Sequence, residues 1–159
     1  MTIKKTLFYF MIALVIIYGQ FFMNHGGVTD KPPFLGTQTI TGESVNDQVN
    51  TGPGIIYFWS DWCGVCRSMQ GAITRILKDY PGITVAVRSG GAEEIREYQQ
   101  QQGFTWTTIA DTDGKIGSRY AIKGVPTMFI LDKQGHIRFV SVGYSFESSL
   151  RFKLWLAGL

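Results

Sequence analysis

What most constrains this chain is the join between a short apolar run and the helix-patterned segment directly behind it. GIIYFWS, residues 54–60, follows Gly52-Pro53-Gly54 and has the pattern of a central strand buried on both faces. Val65, Met69, Ala72, Ile73, Ile76, Leu77 and Tyr80 then recur at helical spacing, and Pro81-Gly82 stops the helix. Between the two lies DWCGVC, which holds the only two cysteines of the chain, Cys63 and Cys66.

The rest of the chain continues the alternation. ITVAVRS (83–89) is the next strand, and AEEIREYQQQQ (92–102) a helix with acids in its first turn and Gly103 as its stop. Its four glutamines, 99–102, are expected on a solvated face. TWTTIAD (105–111) alternates as a strand, DTDG (111–114) is a turn, and a short helix covers 115–121. PTMFILD (126–132) and HIRFVSVG (136–143) are two strands joined by a tight turn. A last helix starts near Ser145 as N-cap, with Phe146, Leu150 and Leu154 on one face. The order predicts an α/β sandwich with a central mixed β-sheet flanked by helices.

The N-terminus has a different character. Lys4 and Lys5 precede a mostly apolar run of about 18 residues, Thr6 to Met23, and no charged residue returns before Asp30. A cleaved signal peptide would have a shorter apolar core and small residues at its cleavage site, where this chain has Asn24 and His25. Residues 1–23 are therefore expected to be an uncleaved membrane anchor, 24–33 a linker rich in Gly and Pro, and 34–159 one globular domain. Lys4 and Lys5 would stay in the cytoplasm, placing the domain on the outer side of a bacterial inner membrane, in the periplasm. The net charge of +3 comes from scattered rather than clustered Lys and Arg, so no nucleic-acid partner is expected.

The cysteine pair admits several chemistries. A bridge across two residues closes almost no loop, so as a staple it would contribute little. Zinc wants four ligands, and only His25 and His136 could join. Haem attachment needs a His after the second cysteine, where Arg67 stands. A copper(I) site on two thiolates stays open. A reactive pair has its own physical basis: at the start of a helix, unpaired N–H groups and the dipole favour the Cys63 thiolate. Cys66, one turn on, shares a face with Met69 and Ile73 and should be the more shielded partner. Cys63 would attack a substrate disulfide and Cys66 would resolve the mixed disulfide.

YFWSDWCGVCRSM resembles the active-site strand and helix of the thioredoxin superfamily, and GVPTMFILDKQGHI resembles its second signature. The similarity covers residues 34–159, and with the N-terminal apolar run it points to the membrane-anchored TlpA/ResA/DsbE-like branch. Within that branch the chain is most similar to the suppressor-of-copper-sensitivity protein D type. The resemblance implies a thioredoxin-like sandwich in which Pro126 is cis and packs against the cysteines. It also implies that the Val125 backbone pairs with an extended substrate strand. Trp62 is then either a substrate-facing aromatic or ordinary packing.

Three positions depart from the family pattern. Tyr57 stands where many thioredoxins have a buried acid, Met69 where cytochrome c-type reductases often have a Glu, and Gly71 where a helix proline is common. Asp61 is the nearest remaining carboxylate, more simply a solvated loop residue. The function expected is a protein-disulfide oxidoreductase acting on thiol and disulfide proteins. It would be a reductase of the copper-stress or cytochrome c biogenesis type, fed by a membrane electron donor and needing no dissociable cofactor. A copper(I) metallochaperone of the same fold and a thiol peroxidase are the alternatives.

Overall fold

In a computed structural model of the chain, residues 7–12, 31–36, 38–45 and 52–159 are described. Most of the expected anchor and linker lies outside them. Residues 7–12 are helical, and among the described residues no helix is long and apolar enough to cross a membrane.

Among the described residues five strands form one sheet: β1 (Gly54–Trp59), β2 (Gly82–Val87), β3 (Thr108–Asp111), β4 (Thr127–Leu131) and β5 (Ile137–Val142), in the order β3-β2-β1-β4-β5. β1, β2 and β3 run parallel, β4 is antiparallel to β1 and β5 is antiparallel to β4, which makes the sheet mixed as expected. Among the described residues from 52 onward the helices are α1 (Gly64–Asp79), α2 (Ala92–Gln102), α3 (Lys115–Arg119) and α4 (Glu147–Ala157).

The unbroken apolar run of β1 has a simple cause: all six residues are buried because both faces of the strand are covered. Ile55, Tyr57 and Trp59 face a cluster that includes Cys66, Met69, Ile73 and Ile76 of α1, Ile95 of α2, and Leu150 and Leu154 of α4. Ile56 and Phe58 face the opposite cluster, with Ile83 and Val85 of β2, Ile116 of α3 and Phe129 of β4. Glu147 of α4 accepts hydrogen bonds from Arg75 of α1 and from Arg151, joining the two helices.

Three local expectations are corrected. Gln99 does not lie on a solvated face; it is buried, its amide N–H donates to Thr108 Oγ1 (2.7 Å) and its carbonyl accepts from Trp106 N–H (2.9 Å). That bond takes the Trp106 N–H away from strand pairing, and β3 begins only at Thr108. At the last helix the cap is Phe146 rather than Ser145, and no side chain caps it. Phe146 is extended backbone ahead of the first turn, so its ring is exposed while Leu150 and Leu154 are buried.

Candidate functional site

β1 ends at Trp59, and the chain turns before α1 by two bonds: Cys63 N–H donates to Ser60 O (3.2 Å), and Ser60 Oγ donates to Val87 O at the end of β2 (2.7 Å). Cys63 is thereby the N-cap of α1, with extended backbone, and its sulfur accepts the Cys66 N–H at 3.1 Å. Cys63 and Cys66 are joined as a disulfide. The sulfur therefore takes the place a Ser or Asp oxygen commonly holds at a helix start, where an anion is favoured. The cysteines are 7 % and 2 % exposed respectively. The ranking follows the expectation, but Cys63 is more covered than an open nucleophile would be. The Val125 carbonyl oxygen sits 3.7 Å from its sulfur.

The Val125–Pro126 peptide is cis. Pro126 is buried, and Val125 makes no backbone–backbone hydrogen bond among the described residues, since β4 starts two residues later. Cys63 and Val125 are 62 positions apart, and the antiparallel register of β1 on β4, Phe58 opposite Thr127, brings them together. Trp62 is 62 % exposed, which removes core packing as its explanation. Its indole N–H donates to Arg88 O (3.2 Å), so the exposed ring is held in place.

Of the three positions that depart from the family pattern, Gly71 is exposed on α1, whereas Met69 and Tyr57 are core. Met69 is fully buried in the cluster that holds Cys66. Tyr57 is fully buried too, edge-on to Trp106, and its hydroxyl is the one buried side-chain polar atom without a partner among the described residues. Burial, and secondarily the nearby Tyr98, push its phenol above the usual tyrosine range. A phenol so held stays protonated at neutral pH, so it cannot accept a proton as a buried carboxylate would. Asp61 is half-buried in the turn, and its Oδ1 accepts the Trp62 N–H (2.9 Å).

His136 lies far from the cysteines. It follows β4, whose last residue, Leu131, pairs with Gly54 at the opposite end of β1. The length of β4 alone separates it from Pro126 by about 15 Å. Its Nδ1 is 3.8 Å from Asp132. His25 lies outside the described residues. Among those residues no group of three or more His, Cys, Asp or Glu is placed to share a metal ion.

A cleft of about 210 Å³ adjoins the disulfide, lined among others by Trp62, Arg88, Gly114, Ser118, Lys123 and Val125. Sequence reasoning did not single out Arg88, Ser118 or Lys123. Arg88 could have been noticed as the cation directly behind an apolar strand, because parallel strands place their ligand sites at carboxyl ends.

The model of the AhpC/TSA family matches residues 28–140. A thioredoxin-like protein of Haemophilus influenzae is 28% identical over 158 residues, covering 98% of this chain and 94% of that protein. The thiol-disulfide oxidoreductase ResA of Bacillus thuringiensis is 25% identical over 150 residues, with 84% and 86% covered. Among solved structures, a Chlorobium tepidum protein assigned as the thiol:disulfide interchange protein DsbE superposes with a TM-score of 0.72 at 22% identity. The match covers 82% of this chain and 96% of that one, which is a likeness of fold.

Proposed function

The chain belongs to the AhpC/TSA family, and from that premise we propose that it is a thiol:disulfide oxidoreductase exchanging disulfides with protein substrates through Cys63 and Cys66. The observation that carries the reading is a cysteine pair at a strand-to-helix junction, disulfide-bonded, with the Val125 backbone beside it free of backbone–backbone hydrogen bonds among the described residues. The ResA and DsbE names of its relatives fit the same chemistry.

In the reducing direction, the Cys63 thiolate attacks one sulfur of a substrate disulfide. A bond forms between Cys63 and that sulfur as the substrate's S–S bond breaks, and the other substrate sulfur leaves as a thiolate. Cys66 then loses its proton and attacks Cys63 Sγ; the mixed disulfide breaks, and the substrate leaves with both cysteines reduced. Two electrons have passed from the pair to the substrate. The Cys66 N–H and the dipole of a 16-residue helix stabilise the Cys63 thiolate as the attacking group. The helix contribution is about 0.3–2 kcal/mol. Val125 offers its backbone to an extended substrate strand, Pro126 packs beneath it, and Trp62 forms the neighbouring wall.

In this reading the protein is a reductase of the copper-stress or cytochrome c biogenesis type, held on the bacterial inner membrane by residues 6–23 with residues 34–159 in the periplasm. The support is Lys4 and Lys5 ahead of a long apolar run. A membrane thiol donor would return electrons to the pair. The full chain in detergent should reduce a protein disulfide. Cys63→Ser should abolish the reaction, and Cys66→Ser should accumulate a mixed disulfide visible on a non-reducing gel. A Cys63→Ser protein as fast as wild type would refute the reading. Trapping with a membrane-impermeant alkylating reagent in intact cells tests location and direction together: a mostly reduced, reagent-accessible pair is expected.

A further inference from the structure

The cleft beside the disulfide carries a charge pattern that the exchange chemistry does not require. It opens at the carboxyl ends of the parallel strands β1, β2 and β3, the side of such a sheet where ligands bind. At about 210 Å³ it is below the usual range for a small-molecule cofactor, about 300–1,000 Å³, and suits one or two side chains of a bound segment. Its lining includes Trp62 and Val125, next to Cys63, together with Arg88, Gly114, Ser118 and Lys123.

Arg88 and Lys123 are both exposed, and neither takes part in an ion pair among the described residues. The neighbouring acids are already engaged. Asp111 accepts from Ile116 N–H and Gly117 N–H, Asp113 pairs with Lys115, and Asp61, outside the cleft lining, accepts from Trp62 N–H.

Arg88 is also held where it is at some local expense. It has φ +49°, a left-handed conformation that non-glycine residues seldom adopt. Its N–H donates to Asp111 O (2.9 Å) and its C=O accepts the Trp62 indole N–H, so both sides of the residue are tied. Its side chain lies against Gly114, where a Cβ would come within 2.9 Å of Nε. The absence of a side chain at 114 therefore lets the guanidinium lie along the cleft wall.

We propose that this cleft is a specificity site for a carboxylate: the protein exchanges disulfides preferentially with extended segments that carry Asp or Glu within two or three residues of the reacting cysteine, bound by Arg88 and Lys123. The short spacing follows from adjacency: Lys123 is two positions from Val125 and the Arg88 carbonyl accepts from Trp62, so both cations stand within a few extended residues, about 3.3 Å each, of Cys63. The inference rests on the exchange reading above and adds the class of substrate.

The test uses the reduced full chain in detergent and three single-cysteine peptides, oxidised to their homodisulfides, with Glu, Gln or Lys two residues from the cysteine. 2-Hydroxyethyl disulfide, small and neutral, is the reference substrate. Reduction should rank Glu above Gln above Lys, with roughly tenfold in the second-order rate constant between the extremes at low salt, narrowing as salt is raised. The double variant Arg88→Glu/Lys123→Glu should invert the ranking, read as a ratio within the variant so that its overall rate does not matter. Equal rates on the Glu and Lys peptides, or an unchanged ranking in the double variant, overturn the carboxylate site while leaving exchange intact. Failure to reduce any substrate, 2-hydroxyethyl disulfide included, overturns the exchange reading and this inference with it.

Discussion

Tyr57→Phe should make the oxidised protein more stable. The Tyr57 hydroxyl is buried with no partner among the described residues, and such a group costs about 1–3 kcal/mol of unrecovered hydration. Removing one oxygen leaves the ring in place, still edge-on to Trp106 at 5.8 Å between centroids. The small gap gives back only a few dispersion contacts, each worth about 0.1–0.2 kcal/mol. The expected net gain is about 1–2 kcal/mol. For a domain of roughly 125 residues the unfolding entropy near the midpoint is about 0.26 kcal/mol/K, so the gain corresponds to roughly 4–8 °C in Tm. Thermal melts and urea titrations of the disulfide form would measure it, with an unchanged m-value showing that stability has changed and the surface exposed on unfolding has not. A loss of 1 kcal/mol or more would refute the reasoning, because it would mean that the hydroxyl is hydrogen-bonded in the folded protein. The same variant tests proton handling at Cys66. Burial keeps the phenol protonated well past neutrality, so the exchange rate from about pH 6 to 9 should show the same pH profile with and without it. A displaced profile would assign Tyr57 a part in deprotonating Cys66.

Gln99→Leu, close in size to the native side chain, strands the Trp106 N–H inside the protein and removes a donor from Thr108. A cost of about 2–3 kcal/mol in urea unfolding is expected, whereas a solvated glutamine would cost almost nothing. Glu147 is held below its ordinary carboxylate value of 4.5, first by hydrogen bonding from Arg75 and then from Arg151. Its folded-state value is depressed, so its contribution is present above pH 4.5 and is lost as pH falls through the lowered value. Glu147→Gln should therefore lower Tm near neutrality, and the difference should close in acid; a difference independent of pH would rule out the ion pairs as its source.

The order and type of the strands and helices were legible in the sequence because each rests on short-range patterns. The continuous apolar run of residues 54–59 marks a strand covered on both faces. The spacing from Val65 to Tyr80 marks one buried helical stripe, and Pro81-Gly82 cannot extend it. Cys63 at a helix start and Cys66 one turn along follow from the same local reasoning, and so does the chemistry available to them.

Tertiary structure decided the rest, because it depends on which distant segments meet. Strand register sets Val125 against Cys63 across 62 positions, and it places His136 at the far end of the sheet, where it cannot join the two sulfurs. Packing of α2 over the segment before β3 turned Gln99 from a surface residue into a buried hydrogen-bonding one. In the sequence, Arg88 and Lys123 are two scattered cations lying 35 positions apart. They become a pair of charges beside the disulfide only when the ends of β2 and β3 and the loop before Pro126 converge on one cleft.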